Sequence, residues 1–396
     1  MHLDVSEILF GAGLLVALFV GYNIGGATTG PAFGPAVGAD VISKVGAAVL
    51  FTIFFFVGAV TIGPEVIDTL SEGIIEGEGV FTLRTGVAVL FFIGLALFVG
   101  NVAGVPASTS MTTVGAIAAL GQAAGALNWQ VLGEIVVWWI VAPIIGFWVS
   151  GVIGRYLYAR LNRMVAIDDR DGLPFTIDRS GTIPWIKPVQ DASSRELFGV
   201  FIVVAIGCLM AFASGTSNIA NAVAPLVGSG DLEVMPAVLL GSVAVGIGSF
   251  TIARRTLDTM GNDITALPLT AAIVVATVSS ALTVGLSAIG IPASFVIIAT
   301  MSIIGLGWGR ATRTTKAADM VRGKEETKVS RGSLAGDTEG EELPEIGEED
   351  PAEIPAASEL FDPTTTARVV VMQNVVPLIS TIGAYLTFRF VPLFGL

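Results

Sequence analysis

The chain has 396 residues, of which 53% are hydrophobic and 13% are charged, and its mean hydropathy is +0.81. Soluble domains carry about 25% charged residues, so this composition excludes an ordinary soluble protein and indicates an integral membrane protein. The net charge of -13 excludes an electrostatic nucleic-acid binder. A single cysteine, Cys208, excludes a disulfide framework.

Apolar stretches of about the length needed to cross a bilayer recur along the whole chain. The first half carries five of them, near residues 7–24, 41–62, 84–103, 106–126 and 131–154. The second half carries five more, near residues 196–217, 234–253, 267–289, 292–309 and 367–392. We therefore predict an all-α integral membrane protein with about ten transmembrane segments. The stretches at 106–126 and 292–309 either span the membrane or re-enter it.

Two polar regions divide the predicted segments. A polar connector at 155–194 separates a first transmembrane repeat, 1–154, from a second repeat formed by 195–311 and 367–396. The stretch 312–366 within the second repeat has a Glu-rich middle, which predicts an acidic disordered loop. Acidic residues outnumber basic ones by 33 to 20. This excess is typical of proteins from halophilic archaea, and one acidic loop is the alternative explanation.

Short patterns occur in both halves in the same order, which indicates an internal repeat. They are Asn-Ile at 23–24 and 218–219, Thr-Ile at 61–62 and 251–252, Pro-Ala-Ser at 106–108 and 292–294, and Pro143 with Pro377. Five crossings per half would invert the second half relative to the first, as in many secondary transporters. Basic residues mark the cytoplasmic side, so we predict the connector inside and both termini outside.

The two Pro-Ala-Ser patterns predict helix starts inside apolar sequence, because Pro followed by hydroxyl residues favours a helix N-terminus. Such an end carries about half a positive charge and free N–H groups, so it binds anions without Arg or Lys. We predict a central anion site of Ser108, Thr109 and Ser110, faced by Ser294 and the pair Thr216-Ser217. The alternative is that these hydroxyls only cap helices or permit close packing.

Motifs of the inorganic phosphate transporter family (PiT, also called Pho4) have similar counterparts in this chain. Gly215–Ala222, read as Gly-Thr-Ser-Asn-Ile-Ala-Asn-Ala, resembles the Gly-Ala-Asn-Asp-Val-Ala-Asn-Ala motif of that family. Pro106–Met111 resembles its Pro-Val-Ser-Thr-Thr-His motif, and Thr256–Gly261 is also similar. The resemblance covers essentially the whole chain outside the two polar regions. It implies a secondary transporter that imports phosphate with sodium or protons, and whose inverted repeats enclose the substrate.

The chain departs from the family at the residues that carry charge. Asn218 stands where the family has an acidic residue, and alignment on the shared Asn-Ile gives Asn23 the same role in the first half. Asn221 is retained, whereas Phe295 follows the second Pro-Ala-Ser where the family has a hydroxyl. We predict Asn23, Asn218 and Asn221 as ligands of the coupling ion or the substrate, with interhelical hydrogen bonding as the alternative.

The predicted partners are a small inorganic anion and membrane lipid, without nucleic acid. The sequence leaves open whether the protein forms a homodimer. We predict no cofactor other than the coupling ion, no metal site and no catalytic residue, because the chain lacks a Walker motif and has one histidine, His2. The chain is thus predicted as a multi-pass cell-membrane protein and not an enzyme. Sulfate or another tetrahedral oxyanion is the alternative substrate, and a non-transporting sensor or scaffold is the alternative of a different class.

Overall fold

Helices fill most of the chain that the computed structural model describes, namely residues 4–38, 41–77, 79–102, 108–165, 175–178, 185–188, 194–253, 257, 269–312 and 363–394. In the first half, the helices are α1 Val5–Gly38, α2 Lys44–Thr61, α3 Gly63–Asp68, α4 Leu83–Val102, α5 Thr109–Ala124 and α6 Trp129–Tyr156. The second half contributes α8 Ser194–Gly228, α9 Val234–Thr251, α10 Leu269–Ala288, α11 Phe295–Ala311 and α12 Pro363–Phe390. A π-helical turn, Thr69–Gly73, follows α3, and a 3-10 turn, Pro392–Phe394, follows α12.

Seven of the described helices, α1, α2, α4, α6, α8, α9 and α10, are long and apolar enough to cross a membrane. They confirm the prediction of an all-α, multi-pass membrane protein. The helices that follow the two Pro-Ala-Ser patterns are shorter, with 16 residues in α5 and 17 in α11. At 1.5 Å per residue each is about 25 Å long, less than the ~30 Å of the hydrocarbon layer. Neither helix is long enough to cross the layer upright by itself.

The polar regions contain more structure than their composition predicted. The connector holds α7, Tyr158–Val165, and a two-stranded antiparallel hairpin of β1, Phe175–Asp178, and β2, Trp185–Pro188. Helix α12 begins at Pro363, within the last residues of the stretch 312–366. Residues 313–362 of that stretch lie outside the described residues, as do Pro106, Ala107 and, except for Leu257, the motif Thr256–Gly261. The division into repeats, connector and loop stays a prediction.

Helices from the two halves pack in pairs that correspond when the halves are interchanged. Helix α1 packs along α9 and α2 packs along α8, while α6 packs along α11 and α5 packs along α12. Each contact turns into its partner contact when α1 is exchanged for α8, α2 for α9, α5 for α11 and α6 for α12. The packing therefore has an approximate two-fold relation between the halves.

Glycines make the closest of these contacts and fix the register between the halves. A Cβ on Gly25 of α1 would lie 2.0 Å from the Val245 carbonyl oxygen of α9, and one on Gly215 of α8 would lie 2.0 Å from the Phe55 oxygen of α2. Gly25 and Gly215 differ by 190 in residue number, and so do their partners Phe55 and Val245. The same offset relates a second pair of contacts, Gly58 with Phe212 and Gly248 with Tyr22. Position n in α1 or α2 thus corresponds to position n + 190 in α8 or α9.

Candidate functional site

A cavity of about 30 Å³ lies where α1, α8 and the first turns of α5 and α11 meet. Its polar lining consists of Thr28, Ser108, Thr109, Ser214, Asn218 and Ser294. The other residues that line it are apolar, so no described lining residue carries a charge. The described residues also contain no group of three or more His, Cys, Asp or Glu side chains that could hold a metal ion.

The N-terminus of α5 is capped by the side chain of its N-cap residue, Ser108. Ser108 has the extended backbone of an N-cap, with φ −72° and ψ 103°, and its Oγ accepts a hydrogen bond from the Met111 N–H at 3.3 Å. The hydroxyl of Thr109 donates to Oδ1 of Asn218 in α8. Both residues are more than nine-tenths buried. The N-terminus of α5 therefore presents hydroxyl groups to the cavity. One of its free backbone N–H groups, that of Met111, already has an acceptor in Ser108 Oγ.

The start of α11 has the same backbone but lacks the cap. Ser294 lies at φ −92° and ψ 92° and makes no side-chain cap hydrogen bond. Its Oγ is buried and has no hydrogen-bond partner among the described residues, and Phe295 and Val296 also line the cavity. The first N–H groups of a helix have no partner inside the helix. The N-terminus of α11 therefore offers an unused hydroxyl and uncapped backbone donors at the cavity.

Two serines connect the helix starts to each other. Ser110 of α5 donates to the Ala293 carbonyl oxygen at 2.9 Å. Ser217 of α8 donates to the same oxygen at 3.2 Å, and its Oγ accepts from the Ala293 N–H at 3.1 Å. The peptide groups of Ala293 are thereby held by both α5 and α8. This fixes the position of Ser294, the next residue along the chain.

Asn218 is the centre of the amide network on α8. Its Nδ2 donates to Ser214 Oγ at 3.1 Å, and its Oδ1 accepts from Asn221 Nδ2 at 3.2 Å as well as from Thr109. Asn221 is fully buried, and its own Oδ1 has no hydrogen-bond partner. Asn offers a neutral carbonyl oxygen as a possible ligand, where Asp would offer a charged pair of oxygens.

The structure brings most, but not all, of the predicted site residues together. Ser108, Thr109, Ser294 and Asn218 line the cavity, and Ser110, Ser217 and Asn221 bond to the groups that form it. Thr216 does not line the cavity, and its hydroxyl donates to the Ala213 oxygen at 2.8 Å and lies 3.1 Å from Ser287 Oγ. Asn23 also lies apart, with its Nδ2 bonded to the Phe19 oxygen at 2.8 Å.

The register between the halves explains why Asn23 is not at the cavity. The shared Asn-Ile pair aligns the halves with an offset of 195, whereas the glycine contacts give 190. With the structural offset, Asn218 corresponds to Thr28, which lines the cavity, and Asn23 corresponds to Ala213. Sequence reasoning missed Thr28 and also Ser214. Alignment of Gly25 with Gly215 would have found Thr28.

A sequence profile of PHO4, the phosphate transporter family, matches residues 24–332 of the chain. The chain belongs to this phosphate transporter family. The family resemblance predicted from the motifs is therefore confirmed.

Relatives of this PHO4 protein carry the names of permeases for two anions. The chain is 32% identical over 300 residues to sulfate permease CysP of Bacillus subtilis (strain 168), covering 76% of this chain and 77% of that protein. It is 26% identical to proteins named "Putative phosphate permease" in Helicobacter pylori (strain ATCC 700392 / 26695) and Chlamydia trachomatis serovar D. These matches cover 75% and 76% of this chain, and 68% and 91% of the two relatives.

A solved structure titled "The sodium-dependent phosphate transporter" has the same fold. It matches with a TM-score of 0.62 and 18% sequence identity, and the match covers 97% of this chain and all of that chain. At this identity the likeness shows the fold of the PHO4 protein alone.

Proposed function

We propose that this protein is a secondary active transporter that imports inorganic phosphate through the described cavity, driven by sodium or protons. One observation carries the proposal: Ser108 and Ser294, the N-cap residues of two short helices from different halves, line the same buried cavity. Two positive helix ends and their hydroxyl groups bind an anion without a cationic side chain. The two halves pack so that each contact between them has a counterpart when the halves are interchanged. Transporters built from repeats have this arrangement, and their substrates bind at the interface between the repeats.

The uncapped start of α11 is the favoured position for the anion. An oxygen of a tetrahedral oxyanion at this position would accept from the Ser294 hydroxyl and from the backbone N–H groups of Phe295 and Val296. It would thereby replace the side-chain cap that Ser294 does not make. Binding would satisfy a buried hydroxyl that has no other partner, so the anion gains more there than at the self-capped start of α5.

Sodium is favoured over protons as the coupling ion. Import of an anion against an inside-negative potential costs about 2.3 kcal/mol per charge per 100 mV, so a divalent anion needs accompanying cations or a steep gradient. No described residue that lines the cavity is ionisable, and a coupled proton therefore has no side chain to carry it there. The oxygens of Asn218 and Asn221 are neutral ligands of the sodium type.

Sulfate is the second candidate substrate, and the chemistry of the cavity favours it. Phosphate at neutral pH keeps a proton for which a selective site supplies an acceptor, whereas sulfate only accepts hydrogen bonds. The described lining offers hydroxyl and N–H donors, and its side-chain acceptors are hydroxyl and amide oxygens, with no carboxylate. The sulfate permease of Bacillus subtilis is also a more identical relative than the two phosphate permeases named above.

Uptake by proteoliposomes tests the proposal. Purified protein would be reconstituted and supplied with labelled phosphate or labelled sulfate, with a sodium gradient, a proton gradient or neither. Sodium-stimulated phosphate uptake that excess sulfate does not suppress supports the first candidate, and the reverse preference supports the second. If intact protein takes up neither anion, the transport proposal is wrong and a sensor or scaffold is favoured.

A further inference from the structure

A pair of asparagines connects α4 to α1 just before the cavity is formed. Asn101, near the C-terminus of α4, is seven residues before Ser108. Its Nδ2 donates to Asn23 Oδ1 at 2.9 Å and to the Asn23 carbonyl oxygen at 3.1 Å. Asn23 is fully buried and is itself held by the Phe19 oxygen. Neither asparagine lines the cavity.

The second half contains an equivalent connection with different side chains. Ser287, near the C-terminus of α10, is seven residues before Ser294, and its Oγ lies 3.1 Å from the Thr216 hydroxyl oxygen, within hydrogen-bond distance. The Thr216 hydroxyl donates to the Ala213 oxygen at 2.8 Å. Ala213 corresponds to Asn23 in the structural register. Both halves therefore connect the helix before the cavity to the same turn of α1 or α8.

The difference between the connections follows from side-chain length and space. Asn101 reaches the carbonyl oxygen of Asn23 directly, whereas the shorter Ser287 reaches the equivalent oxygen through Thr216. The first half cannot use such a bridge, because Gly26 occupies the position of Thr216. A Cβ on Gly26 would lie 2.7 Å from Ile252 Cγ2. The two halves therefore make the same connection with different side chains.

We propose that Asn101–Asn23 and Ser287–Thr216 are positioning ties, which set where the two helix starts stand relative to α1 and α8. The inference rests on the proposed oxyanion site, because the ties act through Ser108 and Ser294 and do not touch the substrate. In the second half the linkage is a short turn. The Ser287 oxygen accepts from the Gly290 N–H at 3.0 Å, and Ile291 N–H donates to the Leu286 oxygen at 2.9 Å. Gly290 has a φ of +75°, which glycine adopts without strain.

A rescue experiment tests the tie in the second half. Thr216→Ala removes the bridge and should raise the KM for labelled sulfate or phosphate about 3- to 10-fold, as expected for loss of one net hydrogen bond. The double variant Thr216→Ala/Ser287→Asn places an amide where Asn101 stands in the first half. It should bring the KM back to within about two-fold of the wild type. Ser279→Ala is the matched control, because Ser279 bonds only within α10, and its KM should not change.

The first half is tested by Asn101→Ala, which should also raise the KM about 3- to 10-fold while the uptake rate at saturation changes less. Unchanged KM values in both Asn101→Ala and Thr216→Ala overturn the proposal, and so does failure of Ser287→Asn to rescue. Amide hydrogen exchange separates this outcome from failure of the transport proposal. Exchange over residues 287–300 should be faster in Thr216→Ala than in Ser279→Ala even if no anion is transported. Equal exchange in the two variants contradicts the tie.

Discussion

The hydroxyl of Thr109 donates a hydrogen bond to Oδ1 of Asn218, and this contact joins the first turn of α5 to the middle of α8. The two residues come from different halves of the chain, and the same oxygen also accepts from Asn221. An ion bound at this oxygen would contact a group that is hydrogen-bonded to residues of both halves. In the proposed transport mechanism, Asn218 would couple binding of a cation to the packing of the two halves.

Substitution Asn218→Asp should strengthen sodium binding. The carboxylate still accepts the hydrogen bond from Thr109 and adds a negative charge that attracts the cation. We expect the sodium concentration for half-maximal uptake to fall about 10-fold, as for a charge-assisted interaction of about 1.5 kcal/mol. Anion affinity at low sodium should fall, because the added charge repels the anion. Uptake measured against a sodium titration checks both effects.

The control for this substitution is Asn162→Asp, since Asn162 accepts from Thr270 on α10 and does not line the cavity. Its sodium dependence should match the wild type. A sodium curve for Asn218→Asp that overlays that of the control would remove Asn218 from the proposed cation path.

Substitution Ser294→Ala should weaken anion binding without loss of stability. Its hydroxyl has no hydrogen-bond partner within the part of the chain that the structure describes, so its removal costs no described internal hydrogen bond. We expect the KM for the anion to rise about 3- to 10-fold, with an unchanged melting temperature in detergent. Ser302→Ala is the matched control, because Ser302 is also on α11, fully buried and without a partner. An equal KM in the two variants would contradict an anion at Ser294.

Sodium-driven sulfate uptake should be independent of pH between about pH 6 and 8. Histidine is the side chain whose ordinary pKa lies in this range, and the only histidine, His2, precedes α1. Phosphate uptake should change with pH only as phosphate itself gains or loses a proton. Initial rates at constant sodium and membrane potential test this. A step or bell-shaped curve for sulfate would show that an ionisable side chain takes part.

Substitution Gly25→Ala should prevent the halves from packing. The added methyl group would lie 2.0 Å from the Val245 carbonyl oxygen, which belongs to a helix backbone and has little freedom to move. We expect a loss of several kcal/mol of stability or no folded protein. Gly285→Ala is the control, because a Cβ there meets no atom within 4 Å, and it should be neutral or gain about 0.5–1 kcal/mol. Thermal unfolding in detergent compares the two variants, and equal melting temperatures would contradict the close contact.

Hydropathy was sufficient to predict the fold class, because a membrane selects apolar helices of a fixed length. The Pro-Ala-Ser patterns also marked the starts of α5 and α11, since the N-cap residue has a strong chemical preference. The short helix α7 and the hairpin Phe175–Pro188 were not predicted. They lie outside the apolar stretches and leave no hydropathy signal.

Short sequence matches did not predict the correct register between the halves. The Asn-Ile pair at 23–24 and 218–219 is a chance likeness that displaces the alignment by five residues. The real determinant is the approach of Gly25 and Gly215 to backbone oxygens of the other half, and this appears only once the helices are paired. The sequence predicted Asn23 as a ligand of the coupling ion or the substrate and Thr216 as a ligand of the substrate, although both bond to backbone groups outside the cavity.

The contact of α5 with α12 has a consequence for biosynthesis. Half of the cavity wall, α1 and α5, leaves the ribosome long before α8 and α11 exist. Helix α5 can pack against α4 early, but its contact with α12 forms only when the last helix is made. A nascent chain that stops before Pro363 therefore has every described polar lining residue of the cavity but lacks the contact of α12 with α5. The packing around α5 is therefore complete only once the final helix has been made.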